Sequence, residues 1–201
     1  REALQHSLNV PAVAALEKVG VNRFSAALNA AGATIFQRRR AKDEGSLALA
    51  LGGAGVTMRD VAALYAVLAN RGLVRPMTFV QGANIDGAEA RLFSVETADR
   101  INAILRGAPS LAGRAPAALS ALAPIIAYKT GTSYGYRDAW AAGHAAGLTI
   151  VVWTGRADGA PRPGETGRKS AAPLLFALMD ALTKGTKKIL EEEAAPAETF
   201  T

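Results

Sequence analysis

Residues 124–155 read "PIIAYKTGTSYGYRDAWAAGHAAGLTIVVWTG". Three apolar runs, 124–131, 138–147 and 148–155, are bounded by glycine-containing breaks, and residues 148–153 are rich in β-branched and aromatic side chains. Three neighbouring antiparallel strands are the simplest arrangement. Lys129 stands at the end of the first run and is followed at once by Thr130, Gly131, Thr132 and Ser133. A cation and hydroxyl donors at a strand edge can hold a carboxylate through charge-assisted hydrogen bonds. Gly131 has no side chain there, which leaves room for a close backbone approach.

Helices flank this strand-rich centre. Pro11, Val13, Leu16 and Val19 before Gly20 predict a helix from about Pro11 to Val19, with Ser7 and Asn9 in the loop that leads into it. A second helix is expected from about Asn22 to Ala31. The apolar run ending at Leu51 breaks at Gly52, Gly53 and Gly55, after which Thr57 can cap a helix with Val61, Leu64, Tyr65 and Leu68 on one face. "LVRPMTFV" (73–80) is a short strand candidate, and "SVETADRINAILRG" (94–107) is a helix with Ser94 or Thr97 as its cap. Residues 107–124 hold three prolines and read as a loop or lobe boundary. The closing stretch "SAAPLLFALMDALTKG" (170–185) predicts a helix in which Leu174, Leu178 and Leu182 form the face that covers the sheet. The fold class expected is α/β of the α+β type.

Half of the 201 residues are hydrophobic, enough for a core, and the apolar excess is mostly alanine rather than aromatic, which favours close-packed helices. The net charge of +6 is compatible with anionic partners. Its densest cluster, Arg38, Arg39, Arg40 and Lys42, lies beside Asp43 and Glu44 without interleaved aromatics, so a solvated basic loop is expected and nucleic acid is not an expected partner. With no cysteine, disulfides, thiolate metal sites and cysteine nucleophiles are excluded. No apolar run approaches the roughly 20 residues of a spanning helix.

Only His6 and His144 are available, and neither sits at ligand spacing with other donors, so no metal and no cofactor is expected. His144 reads as a structural or surface histidine. "GGAGVT" lacks the spacing of a dinucleotide loop, and "GETGRKS" has Arg168 where a phosphate loop needs lysine directly after glycine.

Two short motifs remain. Ser7-Leu8-Asn9 fits S-x-N and Lys129-Thr130-Gly131 fits K-T-G, in the chain order of penicillin-recognising acyl transferases. Around them, "HSLNVPAV", "LALGGAGVTMRDVAALYAVLANRG", "YKTGTSYGYRDAW" and "VVWTGRADGAPRPGETG" resemble successive segments of the transpeptidase domain of class A penicillin-binding proteins, 1C type. The likeness runs in one order from about residue 1 to 183. It implies a serine β-lactamase/transpeptidase-like fold, an antiparallel sheet flanked by helices plus part of an all-α lobe. It implies acyl transfer from the D-Ala-D-Ala end of peptidoglycan stem peptides, β-lactam binding in the complete domain, and the periplasmic face of the bacterial inner membrane as location. By the same resemblance, Thr130 and Thr132 bind the terminal carboxylate and the Thr132 N–H forms half of an oxyanion hole. Lys129 supplies positive potential and orients Ser7, Ser7 relays a proton to the leaving D-alanine, and Asn9 binds the peptide's amides.

The family's chemistry also needs S-x-x-K, whose serine is acylated. Three residues ahead of Lys18, Lys42, Lys129, Lys169, Lys184, Lys187 and Lys188 stand Ala15, Arg39, Ile126, Thr166, Ala181, Lys184 and Gly185, and none is serine. The expectation is a partial transpeptidase domain over 1–188, inactive by itself, followed by a disordered acidic tail over 189–201. Its incomplete fold should pair with the missing N-terminal piece, self-associate, or be marginally stable. The alternative is a non-enzymatic scaffold or peptidoglycan-binding module.

Overall fold

A computed structural model describes residues 1–36, 46–81, 89–113 and 124–194, the last of these without side-chain detail beyond 183. The basic cluster at 38–42 and residues 114–123 of the proline-rich stretch lie outside the described residues.

Helix α1 (Glu2–Gln5) leads through a tight turn into α2 (Asn9–Val19), and α3 (Val21–Ala30) follows. Pro11 falls in the first turn of α2, where its missing N–H leaves no intrahelical bond unmade. Residues Leu47–Leu51 form a 3-10 turn capped by Ser46. Helix α4 (Met58–Ala69) opens with a reciprocal capping box: the Thr57 hydroxyl accepts from the Asp60 N–H, and the Asp60 carboxylate accepts from the Thr57 N–H. The strand expected over 73–80 is confined to β1 (Leu73–Val74), paired with β2 (Ala90–Arg91). Helix α5 (Val95–Arg106) is capped by Ser94, whose Oγ accepts from the Thr97 N–H.

Strands β3 (Ala127–Thr132), β4 (Asp138–Ala145) and β5 (Leu148–Gly155) form an antiparallel sheet in the order β3-β4-β5. Lys129 pairs with Ala142, and Gly131 with Trp140. Because strand side chains alternate, Tyr128, Ala141 and Val152 face a core shared with α6 (Ala172–Ala194), while His144 faces the helical layer. There His144 Nε2 lies 3.0 Å from Asn102 Oδ1 of α5, and Asn102 Nδ2 donates to the Leu68 carbonyl of α4 at 3.0 Å. One buried amide thus joins the sheet to both helices. The structural role expected of His144 is the one found.

One expectation is corrected at α6. The face on the sheet is Ala171, Ala172, Leu175, Phe176 and Met179, whereas Leu174, Leu178 and Leu182 are 49%, 40% and 52% exposed. Each of these leucines lies one residue from the buried row, about 100° around the axis. Periodicity of four marked a stripe without saying which of two adjacent stripes is covered. The helix runs to Ala194, through a stretch in which glutamate, leucine and alanine are strong helix formers. Among the described residues no helix is long and apolar enough to cross a membrane.

Candidate active site

Among the described residues strand β3 is paired on one side only, by β4, and Ser7, in the turn between α1 and α2, reaches it through Lys129. Ser7 sits in that turn at φ +57°, a left-handed conformation unusual for any residue but glycine, asparagine or aspartate. The turn is a Schellman arrangement: the Leu8 N–H bonds back to the Ala3 carbonyl at 2.9 Å and the Ser7 N–H to the Leu4 carbonyl at 3.4 Å. Ser7 is not the N-cap of α2; Leu8 is, without a side-chain cap. Its hydroxyl points instead across to β3, where Lys129 Nζ donates to Ser7 Oγ and, at 2.7 Å, to the Thr130 carbonyl.

Gln5, His6, Ser7, Tyr128, Lys129, Thr130 and Arg168 line a cavity of about 330 Å3 with the Ala108–Pro109 corner. Burial lowers the pKa of the Lys129 ammonium below the ordinary lysine value. The sheet edge is stiffened from beyond: Ser133 N–H bonds the Asp138 carbonyl and Ser133 Oγ accepts from the Asp138 N–H, both at 2.9 Å. Trp153 Nε1 donates to Asp138 at 3.0 Å.

Of the residues the sequence singles out, Ser7, Lys129 and Thr130 meet at this cavity. Thr132 Oγ1 accepts from the Gly167 N–H at 3.1 Å, which leaves the hydroxyl hydrogen free to donate elsewhere. Asn9 lines a second groove with Val10, Val13 and Leu51. Among the described residues a Cβ on Gly131 would meet only Trp140 Cβ at 3.7 Å, ordinary contact, so their packing does not demand glycine there.

Behind K-T-G, packing does demand glycine at Gly167, a position outside both sequence motifs. A Cβ on it would lie 2.3 Å from the carbonyl oxygens of both Gly131 and Trp140. This close approach seats the π-helical turn Gly167–Ala171, capped by Thr166, directly behind K-T-G. "GETGRKS" carried the signal: a threonine cap and a glycine before a helix.

No family model matches the chain. In sequence it is 39% identical over 191 residues to penicillin-binding protein 1C of Escherichia coli, covering 95% of this chain and 24% of that protein. It is 28% identical over 219 residues to penicillin-binding protein 1A of Clostridium tetani, covering all of this chain and 28% of that protein. In fold it matches penicillin-binding protein 1A from Haemophilus influenzae with a TM-score of 0.69 at 23% identity, over 99% of this chain and 35% of that one. It also matches the PonA1 protein from Mycobacterium tuberculosis, solved in complex with penicillin V, with a TM-score of 0.72 at 23% identity, over 92% of this chain and 56% of that one. The chain spans about a quarter of the length of the curated relatives it matches. Its fold is the mixed β-lactamase/transpeptidase type. Sequence and fold matches fall on the same kind of protein, and the chain belongs to the class A penicillin-binding proteins, 1C-like, as part of their transpeptidase domain.

Proposed function

We propose that this chain is the substrate-binding wall of a peptidoglycan D,D-transpeptidase, built to receive the carboxyl-terminated D-Ala-D-Ala end of a stem peptide. The observation that carries the reading is the hydrogen bond from Lys129 to Ser7 beside the edge of β3 that is unpaired among the described residues. An extended peptide laid along that edge would find backbone partners, as in strand addition generally. Its carboxylate would be held by the Thr130 and Thr132 hydroxyls in the potential of Lys129, and the Thr132 N–H would stabilise an oxyanion. Ser7, held by Lys129, would pass a proton to the leaving D-alanine amine. Asn9 would bind peptide amides in the assembled domain.

The acyl group itself would be carried by an S-x-x-K serine elsewhere in the polypeptide, since no serine here stands three residues before a lysine. β-Lactams would bind the complete domain, and the protein would act at the periplasmic face of the inner membrane. Exposed apolar side chains, among them Val10, Phe36 and Leu174, support a surface meant for the rest of the domain. Light scattering of the chain alone should report self-association that rises with concentration; a compact monomer throughout would contradict this.

The enzymatic reading is tested with a fluorescent penicillin. The 201-residue chain should take no covalent label, while a full-length polypeptide that adds an S-x-x-K serine should. Labelling of the chain alone at any serine would contradict the assignment, and a full-length protein without S-x-x-K would instead be a binding scaffold.

A further inference from the structure

The cavity beside Ser7 holds a second cation that neither motif includes. Arg168 reaches it from the π-helical turn behind β3, opposite the side from which Lys129 enters. Its guanidinium donates to the Pro109 carbonyl at 3.2 Å and to the Ser110 carbonyl, and lies 3.4 Å from the Tyr128 hydroxyl, which itself donates to the Pro109 carbonyl at 2.6 Å. These acceptors are neutral. They use some of the five guanidinium donors and cancel none of the charge.

Among the described residues neither Lys129 nor Arg168 forms an ion pair, and no acidic side chain lines the cavity, to which His6 adds a third basic group. Two uncompensated cations on one small cavity are a receptor for negative charge, and the guanidinium fork suits a carboxylate in particular.

Resting on the reading above, we infer that Arg168 is a specificity-determining residue that, together with Lys129, selects ligands ending in a free carboxylate over neutral, amidated ones. Its carbonyl contacts fix the fork at the cavity mouth before a ligand arrives.

The test is a titration of the 201-residue chain with N-acetyl-D-Ala-D-Ala and with its C-terminal amide, followed by NMR at the Thr130, Gly131 and Thr132 amides. Arg168→Gln should weaken the acid roughly fivefold, the size of one partly exposed charge-assisted contact, and leave the amide unchanged. Arg168→Lys, which keeps the charge but not the fork, should recover part of that loss. A Gln variant that binds the acid like wild type, while Lys129→Gln does not, overturns the inference and leaves the proposed function standing. A Lys variant no better than Gln, with both folded by circular dichroism, assigns Arg168 to holding the 109–110 corner and also overturns it. If the wild-type chain binds neither ligand, the proposed function falls, and this inference with it.

Discussion

Lys129 donates to Ser7 across 122 positions of sequence, joining the edge strand of the sheet to the turn between the first two helices. Serine there occupies a backbone conformation suited to glycine, and its hydroxyl caps no helix. Strain of this kind is kept where a side chain is needed for something other than stability.

The first prediction follows from that strain. Ser7→Gly should leave stability unchanged or raise it by up to about 1 kcal/mol, because glycine enters the left-handed region freely, while ligand binding weakens. Urea unfolding measures the first part. A loss of stability beyond about 1 kcal/mol would mean that the hydroxyl holds the fold together.

Gly167→Ala should be severely destabilising, by roughly 2–4 kcal/mol, since the new Cβ meets backbone oxygens rather than a side chain able to swing away. Gly131→Ala, with only ordinary contact at its Cβ, should cost far less. Comparable thermal shifts for the two would refute the packing described behind K-T-G.

Much of this fold was legible because local chemistry and tertiary packing agree. The Thr57 capping box starts α4, Ser94 starts α5, and glycine breaks mark the three strands. The stripe on α6 was misread because leucine periodicity defines an apolar row without identifying its neighbour, and the alanines that touch the sheet are weak signals alone. At the site, Ser7, Lys129 and Thr130 were legible as motif residues. Gly167 and Arg168 were not, since their places at the site come from a loop folding back on β3 from 35 or more residues away.

His144 makes stability depend on pH. Burial first, and then the Arg106 charge, hold its pKa below 6.5, so the unfolded chain takes up a proton more readily than the folded one. The stabilisation is therefore fully present above pH 6.5 and is lost as pH falls toward the lower folded value. Between pH 7.5 and 5.5 the wild-type chain should lose on the order of 1 kcal/mol more than His144→Gln, which keeps a donor for Asn102. Equal losses in urea titrations would show that His144 does not titrate in this range.

The most direct measurement of the proposed carboxylate cradle is the affinity of N-acetyl-D-Ala-D-Ala for the wild-type chain against Lys129→Gln, read from the amide shifts of Thr130 and Thr132. Loss of a partly buried charge-assisted contact should weaken binding roughly tenfold or more, with perturbations centred on β3. Undiminished affinity in the variant, or shifts confined to residues away from β3 and the Ser7 turn, would contradict the account.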